Sequence, residues 1–239
     1  MKLHLIDDLP LFGVCDDMAG MERSLRHRID SLTRTAPAQV SYIDFAGFRS
    51  LWEATAHGAC ATALVVGTRP RILAARFAHA SRDCAVIAVH PKRRHGTHGE
   101  TAAVEVEEDL QVLPLAGGPL TVLDDIMFSG KTAVSVLSSL PPASWRGPVS
   151  VRTVLATREA INFVKTACPQ AQVVSQIVAD YAPVTEGTAI FLWDLLFGTL
   201  GGRPFLSRTD LLAPFFGDDL AGLLGIRDDV DATSGWRVL

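Results

Sequence analysis

Cysteine is scarce in this chain: Cys15, Cys60, Cys84 and Cys168 are scattered through 239 residues, and no two form a Cys-x-x-Cys pair. That spacing argues against a disulfide scaffold or a zinc ribbon and fits a reducing compartment, so a cytoplasmic location is expected. A secretory leader pattern is missing as well: Lys2 is followed by Asp7, Asp8 and Pro10, with no apolar centre. No apolar run is long enough to cross a bilayer. The most apolar late stretch, "TAIFLWDLLFGTL" (188–200), carries Asp194 and is followed by two glycines. It falls short of the roughly 20 residues a span requires, so it reads as a buried helix and no membrane partner is expected.

Net positive charge is lacking too. The formal charge is −4 and the pI about 6.0, which gives no global reason to expect nucleic acid as a partner. Local basic clusters can still bind phosphate. Repeats, heptads and low-complexity linkers are absent, and 239 residues suit one large domain or a core with modest appendages.

What is present is an alternation. "ATALVVG" (61–67), "CAVIAVH" (84–90), "LTVLD" (120–124), "VSVRTVLAT" (149–157) and "QVVSQIVAD" (172–180) are short apolar runs rich in β-branched residues. Helix-like sequence follows the first, third and fourth: "RPRILAARFAHASRD", "SGKTAVSVLSSL" and "REAINFVKTAC". Strands alternating with helices predict an α/β fold, a parallel twisted sheet flanked by helices on both faces. Two further helices are expected earlier, over Met21–Thr33 and over "FRSLWEATAHGAC", with Leu51, Ala54 and Thr55 on one face. The expected division is an N-terminal helical or hood segment (1–58), the α/β core (59–184), and a C-terminal helical cap or dimerisation element (185–239).

Ligands of parallel sheets bind at loops leaving the carboxyl ends of strands. Those loops are Gly67–Arg71, His90–Glu100, Asp124–Thr132 and Asp180–Gly187. In the third, Asp124 and Asp125 end a strand, Ser129-Gly130-Lys131-Thr132 follow, and a helix begins. A Walker loop would need glycine where Asp125 stands, which sets a P-loop kinase aside. A Ser-based hydrolase lacks its Gly-x-Ser-x-Gly elbow. Gly130 permits close backbone approach, and helix N-terminal amides with the Ser129 and Thr132 hydroxyls can hold a dianionic phosphate. Two carboxylates beside a phosphate make sense if they face sugar hydroxyls or a hard cation such as Mg²⁺.

"LTVLDDIMFSGKT" resembles the phosphoribosyl pyrophosphate (PRPP) signature of type I phosphoribosyltransferases: apolar residues, two acids, a variable stretch, then Thr/Ser-Gly-x-Thr. Thr121 departs from an apolar position. The resemblance implies that Asp124 and Asp125 engage the ribose hydroxyls and Mg²⁺, and that Ser129, Gly130, Lys131 and Thr132 hold the 5′-phosphate. In the same order along the chain, Gly67, Thr68, Arg69 and Arg71 match a pyrophosphate loop. "VHPKRRHGTHGE" (89–100) resembles the flexible catalytic loop of orotate phosphoribosyltransferases. It would be a mobile basic loop supplying Lys92, Arg93, Arg94 and His95, with His98 further out.

The other reading of His90, His95 and His98, as a metal site, has no period or cysteine to support it. "ADYAP" (179–183) implies acceptor contacts from Asp180 and Tyr181. Phe48, Trp52, Phe191 and Trp193 read as core. The function implied is Mg²⁺-dependent displacement of pyrophosphate from PRPP by a nitrogen nucleophile on a small-molecule acceptor, in a homodimer. The rival is a non-catalytic PRPP-sensing regulator on the same fold.

Overall fold

A computed structural model of the chain describes residues 3–12, 27, 40–57, 61–77, 84–95, 101–108, 110, 118–141, 147–179, 189–192, 199–200 and 203–204. In chain order its elements are β1 (Leu3–Ile6), α1 (Leu9–Phe12), β2 (Val40–Ile43), α2 (Phe45–Ala56), β3 (Thr62–Val66) and α3 (Thr68–Phe77). Then come β4 (Ala85–Val89), β5 (Pro91–His95), β6 (Thr101–Val106), β7 (Leu120–Met127), α4 (Lys131–Ser138), β8 (Val149–Thr157) and α5 (Arg158–Ala167). The last are β9 (Ala171–Ala179), β10 (Ala189–Phe191), β11 (Thr199–Leu200) and β12 (Arg203–Pro204). The chain divides into a unit of residues 43–188 and a second unit made from residues 2–42 and 189–239.

In the first unit β4-β3-β7-β8-β9 form a five-stranded sheet in that order, and every neighbouring pair is parallel. The fold is therefore α/β, as the alternation predicts. Parallel strands covered on both faces need continuous apolar sequence, and β3 and β7 are buried along their whole length. Leu64, Val66, Val122, Val136, Leu137, Val151 and Val164 centre the core. On α2 the buried residues are Phe48, Trp52 and Thr55. The face expected from Leu51 and Ala54 is thus corrected: the two aromatics carry the larger apolar area and turn the helix inward.

β7 does not stop at the acids. It continues through Asp124 and Asp125 to Met127, with Ile126 and Met127 paired to Leu155 and Ala156. The carboxylates themselves permit this, because each accepts the next backbone amide: Asp125 N to Asp124 Oδ1 at 2.9 Å and Ile126 N to Asp125 Oδ1 at 2.8 Å. Ladder pairing skips Asp125 and Val154 and resumes in the same register, and β8–β9 pairing skips Val154 too.

Two further expectations are corrected. The basic segment after β4 is not wholly loop, since β5 and β6 pair antiparallel as a ribbon with an irregularity between Arg94 and His95. After Pro91 its first strand is Lys-Arg-Arg-His, so no apolar alternation announces it. In the second unit, Ala189–Phe191 is a strand where the apolar run predicts a helix; it pairs parallel with β1, His4 opposite Ala189. An isolated apolar run carries no period that separates a buried strand from a buried helix. Phe191 is buried with Leu5, Ile6 and Leu9, while Trp193 lies outside the described residues. Of Met21–Thr33 only His27 is among them. No helix among the described residues is long and apolar enough to cross a membrane.

Candidate functional site

From β3 the chain moves to β4 on one side, and from β7 to β8 and β9 on the other. The sheet order thus reverses between β3 and β7. A crevice outside the carboxyl ends of two such strands is where open α/β sheets bind ligands. Gly67–Arg71 leave β3 there, and Phe128–Thr132 leave β7 just past the two acids near its end. The β3 loop reaches those acids directly: Arg69 Nη1 lies 3.3 Å from Asp125 Oδ2, with the side chains 16% and 11% exposed.

The two helices that start at this crevice differ from the others. α2 is capped by Asp44, whose carboxylate accepts from Gly47 N at 2.8 Å, and α5 is capped by Thr157 and carries Glu159 in its first turn. Those are the ordinary ways to satisfy first-turn amides and the helix dipole. α3 instead has Arg69 and Arg71 in its first turn and no acid. α4 opens with Lys131 after Gly130, with no acid and no side-chain cap from Gly130. Positive charge at a helix N-terminus opposes the dipole unless an anion is there to accept both. Both termini carry a basic residue and no acid in their own first turn, and at α3 Asp125 of β7 faces that charge.

Gly130 is needed twice over. Its φ is +73°, a region side chains avoid, and a Cβ would stand 2.9 Å from the Ala160 carbonyl of α5. The glycine lets α4 begin packed closely against α5. Ser129 Oγ lies 3.4 Å from Lys131 N, and Lys131 is exposed. Gly67, at φ +86°, donates its amide to Val89 O at 2.9 Å, fixing the β3 loop against β4. Thr68 and Arg69 then open α3.

Two residues that motif reading missed hold the backbone here. Thr153 Oγ1 donates to the Asp125 carbonyl at 2.9 Å where the ladder is skipped, and it is fully buried. Thr157 Oγ1 donates to Phe128 O while accepting from Ala160 N at 3.0 Å. Neither has a signal in its own sequence, because their roles depend on register with β7.

The ribbon is anchored at its root by a second missed residue pair. Both oxygens of Glu108 accept from His90 N, at 3.0 and 2.9 Å, and Oε1 lies 2.6 Å from His90 Nδ1. His90 Nε2 is 3.0 Å from Arg71 Nη1. Arginine can only donate, so Nε2 accepts and the Nδ1 hydrogen points at Glu108. Partial burial pushes the Glu108 carboxyl up, but the hydrogen bonds from the His90 amide and ring outweigh it and hold the group below its usual range. His90 is thus engaged with Glu108 and Arg71. Lys92 Nζ is exposed, 3.9 Å from Glu107 Oε1. The backbones of Arg93, Arg94 and His95 belong to β5. His98, Asp180 and Tyr181 lie outside the described residues.

Asp124 and Asp125 are the residues that could hold a divalent cation. No group of three or more His, Cys, Asp or Glu suited to a metal occurs among the described residues. A carboxylate pair of this kind fits Mg²⁺, which takes one or two carboxylates and completes its shell with substrate phosphates and water.

Fold and site together define an α/β protein whose sheet switch point brings a carboxylate pair beside two helix N-termini that open with basic residues. No family model and no curated protein sequence matches the chain. Solved structures do. One is a hypothetical protein from Neisseria gonorrhoeae with bound ppGpp, at 14% identity, covering 68% of this chain and 93% of that one, TM-score 0.43. Another is purine phosphoribosyltransferase from Pyrococcus horikoshii, at 13% identity, covering 80% and 93%, TM-score 0.35. A third is Mycobacterium tuberculosis orotate phosphoribosyltransferase in complex with PRPP, at 12% identity, covering 65% and 89%, TM-score 0.34. Adenine, hypoxanthine and further orotate phosphoribosyltransferases are also among the matches. At such identities these are likenesses of fold.

Proposed function

We propose that this chain is a phosphoribosyltransferase, in which a nitrogen nucleophile displaces pyrophosphate from C1 of PRPP. The observation that supports it best is the meeting of Arg69 and Asp125 across the switch point, with a basic helix N-terminus on either side. A ligand matching that arrangement carries a phosphate, a vicinal diol and a second polyanion, in that order. PRPP has all three.

In this reading Ser129, Gly130, Lys131 and Thr132 hold the 5′-phosphate. Asp124 and Asp125 accept the ribose hydroxyls, and their negative charge favours the positive charge developing at C1 as the C1–O bond to pyrophosphate breaks and the N–C1 bond forms. Gly67, Thr68, Arg69, Arg71 and Arg93 receive the pyrophosphate. Lys92, Arg94 and His95 would approach it from the ribbon and exclude water. Asp124 and Asp125 would hold Mg²⁺, which offsets charge on the departing group. Asp180 and Tyr181 are proposed for the acceptor, whose identity is open between nucleobase-like and unusual natural-product amines. Residues 1–58 are proposed as a hood segment and residues 185–239 as a helical cap or dimerisation element, in a cytoplasmic homodimer.

Incubation with PRPP, Mg²⁺ and a panel of bases and amines, scored by pyrophosphate release, tests the reading. Release that depends on one acceptor class is expected. Tight PRPP binding with no release from any acceptor would favour the regulator, and no binding at all would sink both.

A further inference from the structure

Arg69 faces two claims on one guanidinium. Its Nη1 sits 3.3 Å from Asp125 Oδ2, where both side chains are largely shielded from water. The other Asp125 oxygen, Oδ1, is committed to Ile126 N at 2.8 Å. Oδ2 is therefore the oxygen left to accept a ligand hydroxyl, and it is the one Arg69 holds. Arg69 is also the second residue of α3, where a polyanion seated at the helix terminus would draw the same guanidinium.

The backbone on both sides is fixed, by Thr153 Oγ1 on the Asp125 carbonyl at 2.9 Å and by Gly67 N on Val89 O at 2.9 Å. The group that would exchange partners is the Arg69 side chain. We infer that Arg69 couples the diol and polyanion subsites. With the polyanion subsite empty, Arg69 occupies Asp125; a pyrophosphate-type anion takes the guanidinium and releases Oδ2 for the sugar. The inference rests on the phosphoribosyl reading above. It adds a sign that reading does not contain. Two anionic ligands sharing a crevice repel each other, so simple co-occupancy makes each weaken the other. An exchange through Arg69 makes each strengthen the other, and by linkage the effect is reciprocal.

Calorimetric titration of the full chain with ribose 5-phosphate, at one fixed Mg²⁺ concentration, with and without saturating pyrophosphate, reads that sign. In the unaltered chain, pyrophosphate should tighten ribose 5-phosphate about tenfold, within the usual range of coupling between sites. In Arg69→Met, ribose 5-phosphate alone should bind more tightly than to the unaltered chain, and pyrophosphate should weaken it or leave it unchanged. Should Arg69→Met melt early, Arg69→Gln keeps a hydrogen-bond donor for Asp125 and removes the charge, and the same loss of coupling is expected. Independent or antagonistic binding in the unaltered chain overturns the coupling, and so does positive coupling that survives in a folded Arg69 variant. If neither PRPP nor ribose 5-phosphate binds the unaltered chain, the phosphoribosyl reading itself fails. If PRPP binds and the coupling is absent, only the present inference fails.

Discussion

Asp125 serves three partners with one short side chain and its own carbonyl. Oδ1 accepts Ile126 N, Oδ2 faces Arg69, and the backbone oxygen accepts the Thr153 hydroxyl. Asp125→Asn keeps the shape and one side-chain acceptor oxygen, but it turns the other into a donating amide and removes the charge that would favour a cationic C1. Pyrophosphate release should fall about 10²–10³-fold, the usual loss when one preorganised electrostatic partner is removed, with the fold intact by circular dichroism. Turnover near that of the unaltered chain would count against the assigned role. Gly130→Ala is a different kind of change. A methyl group at φ +73° must also find room 2.9 Å from the Ala160 carbonyl, so strain and overpacking add. The variant should lose about 2–4 kcal/mol in urea denaturation and bind ribose 5-phosphate more weakly.

At the scale of elements, capping separates scaffold from site. The C-terminus of α2 is closed by Arg152 of β8, whose Nη1 donates to the carbonyls of Thr55 and His57. Arg152→Met should cost about 1 kcal/mol and leave ligand binding unchanged, a split readable by melting and calorimetry together. The ribbon root depends on pH instead. Glu108 has a folded pKa below its ordinary 4.5, so its contribution is complete above that value and drains as pH falls through the lower folded one. As pH falls below 4.5, Glu108→Gln should flatten part of the fall in the urea midpoint; an unchanged slope would remove Glu108 from the acid response. The five sheet strands were legible because each is a compact β-branched run, and the turn at Ser129–Gly130 into α4 because its residues are consecutive. The ribbon strand Pro91–His95 was not, having no apolar alternation, and the extension of β7 through two acids contradicts strand propensity until their amide contacts are known. His90 with Glu108, 18 residues apart, and Arg69 with Asp125, 56 apart, are products of topology that no local pattern encodes.

For the whole molecule, the two units draw on the chain differently. The sheet unit is one continuous stretch, and its central core cluster lies between Leu64 and Ala171. The second unit joins β1 from one end of the chain to β10 from the other. A fragment of residues 43–188 therefore keeps all five parallel strands, α2 and both basic helix N-termini, and should fold on its own. A fragment of residues 59–188 lacks α2, which lies along β7, β8 and β9 and contributes the fully buried Phe48 and Trp52. Removing either aromatic by truncation typically costs about 3–5 kcal/mol, so losing both approaches the entire stability of an ordinary domain. The longer fragment should melt cooperatively and gain stability from PRPP, by about 2.7 kcal/mol at 100-fold excess over its dissociation constant. The shorter one should show no cooperative transition by circular dichroism and no response to PRPP. Equal cooperativity in both fragments would mean that α2 is an appendage and that the sheet closes its core without it.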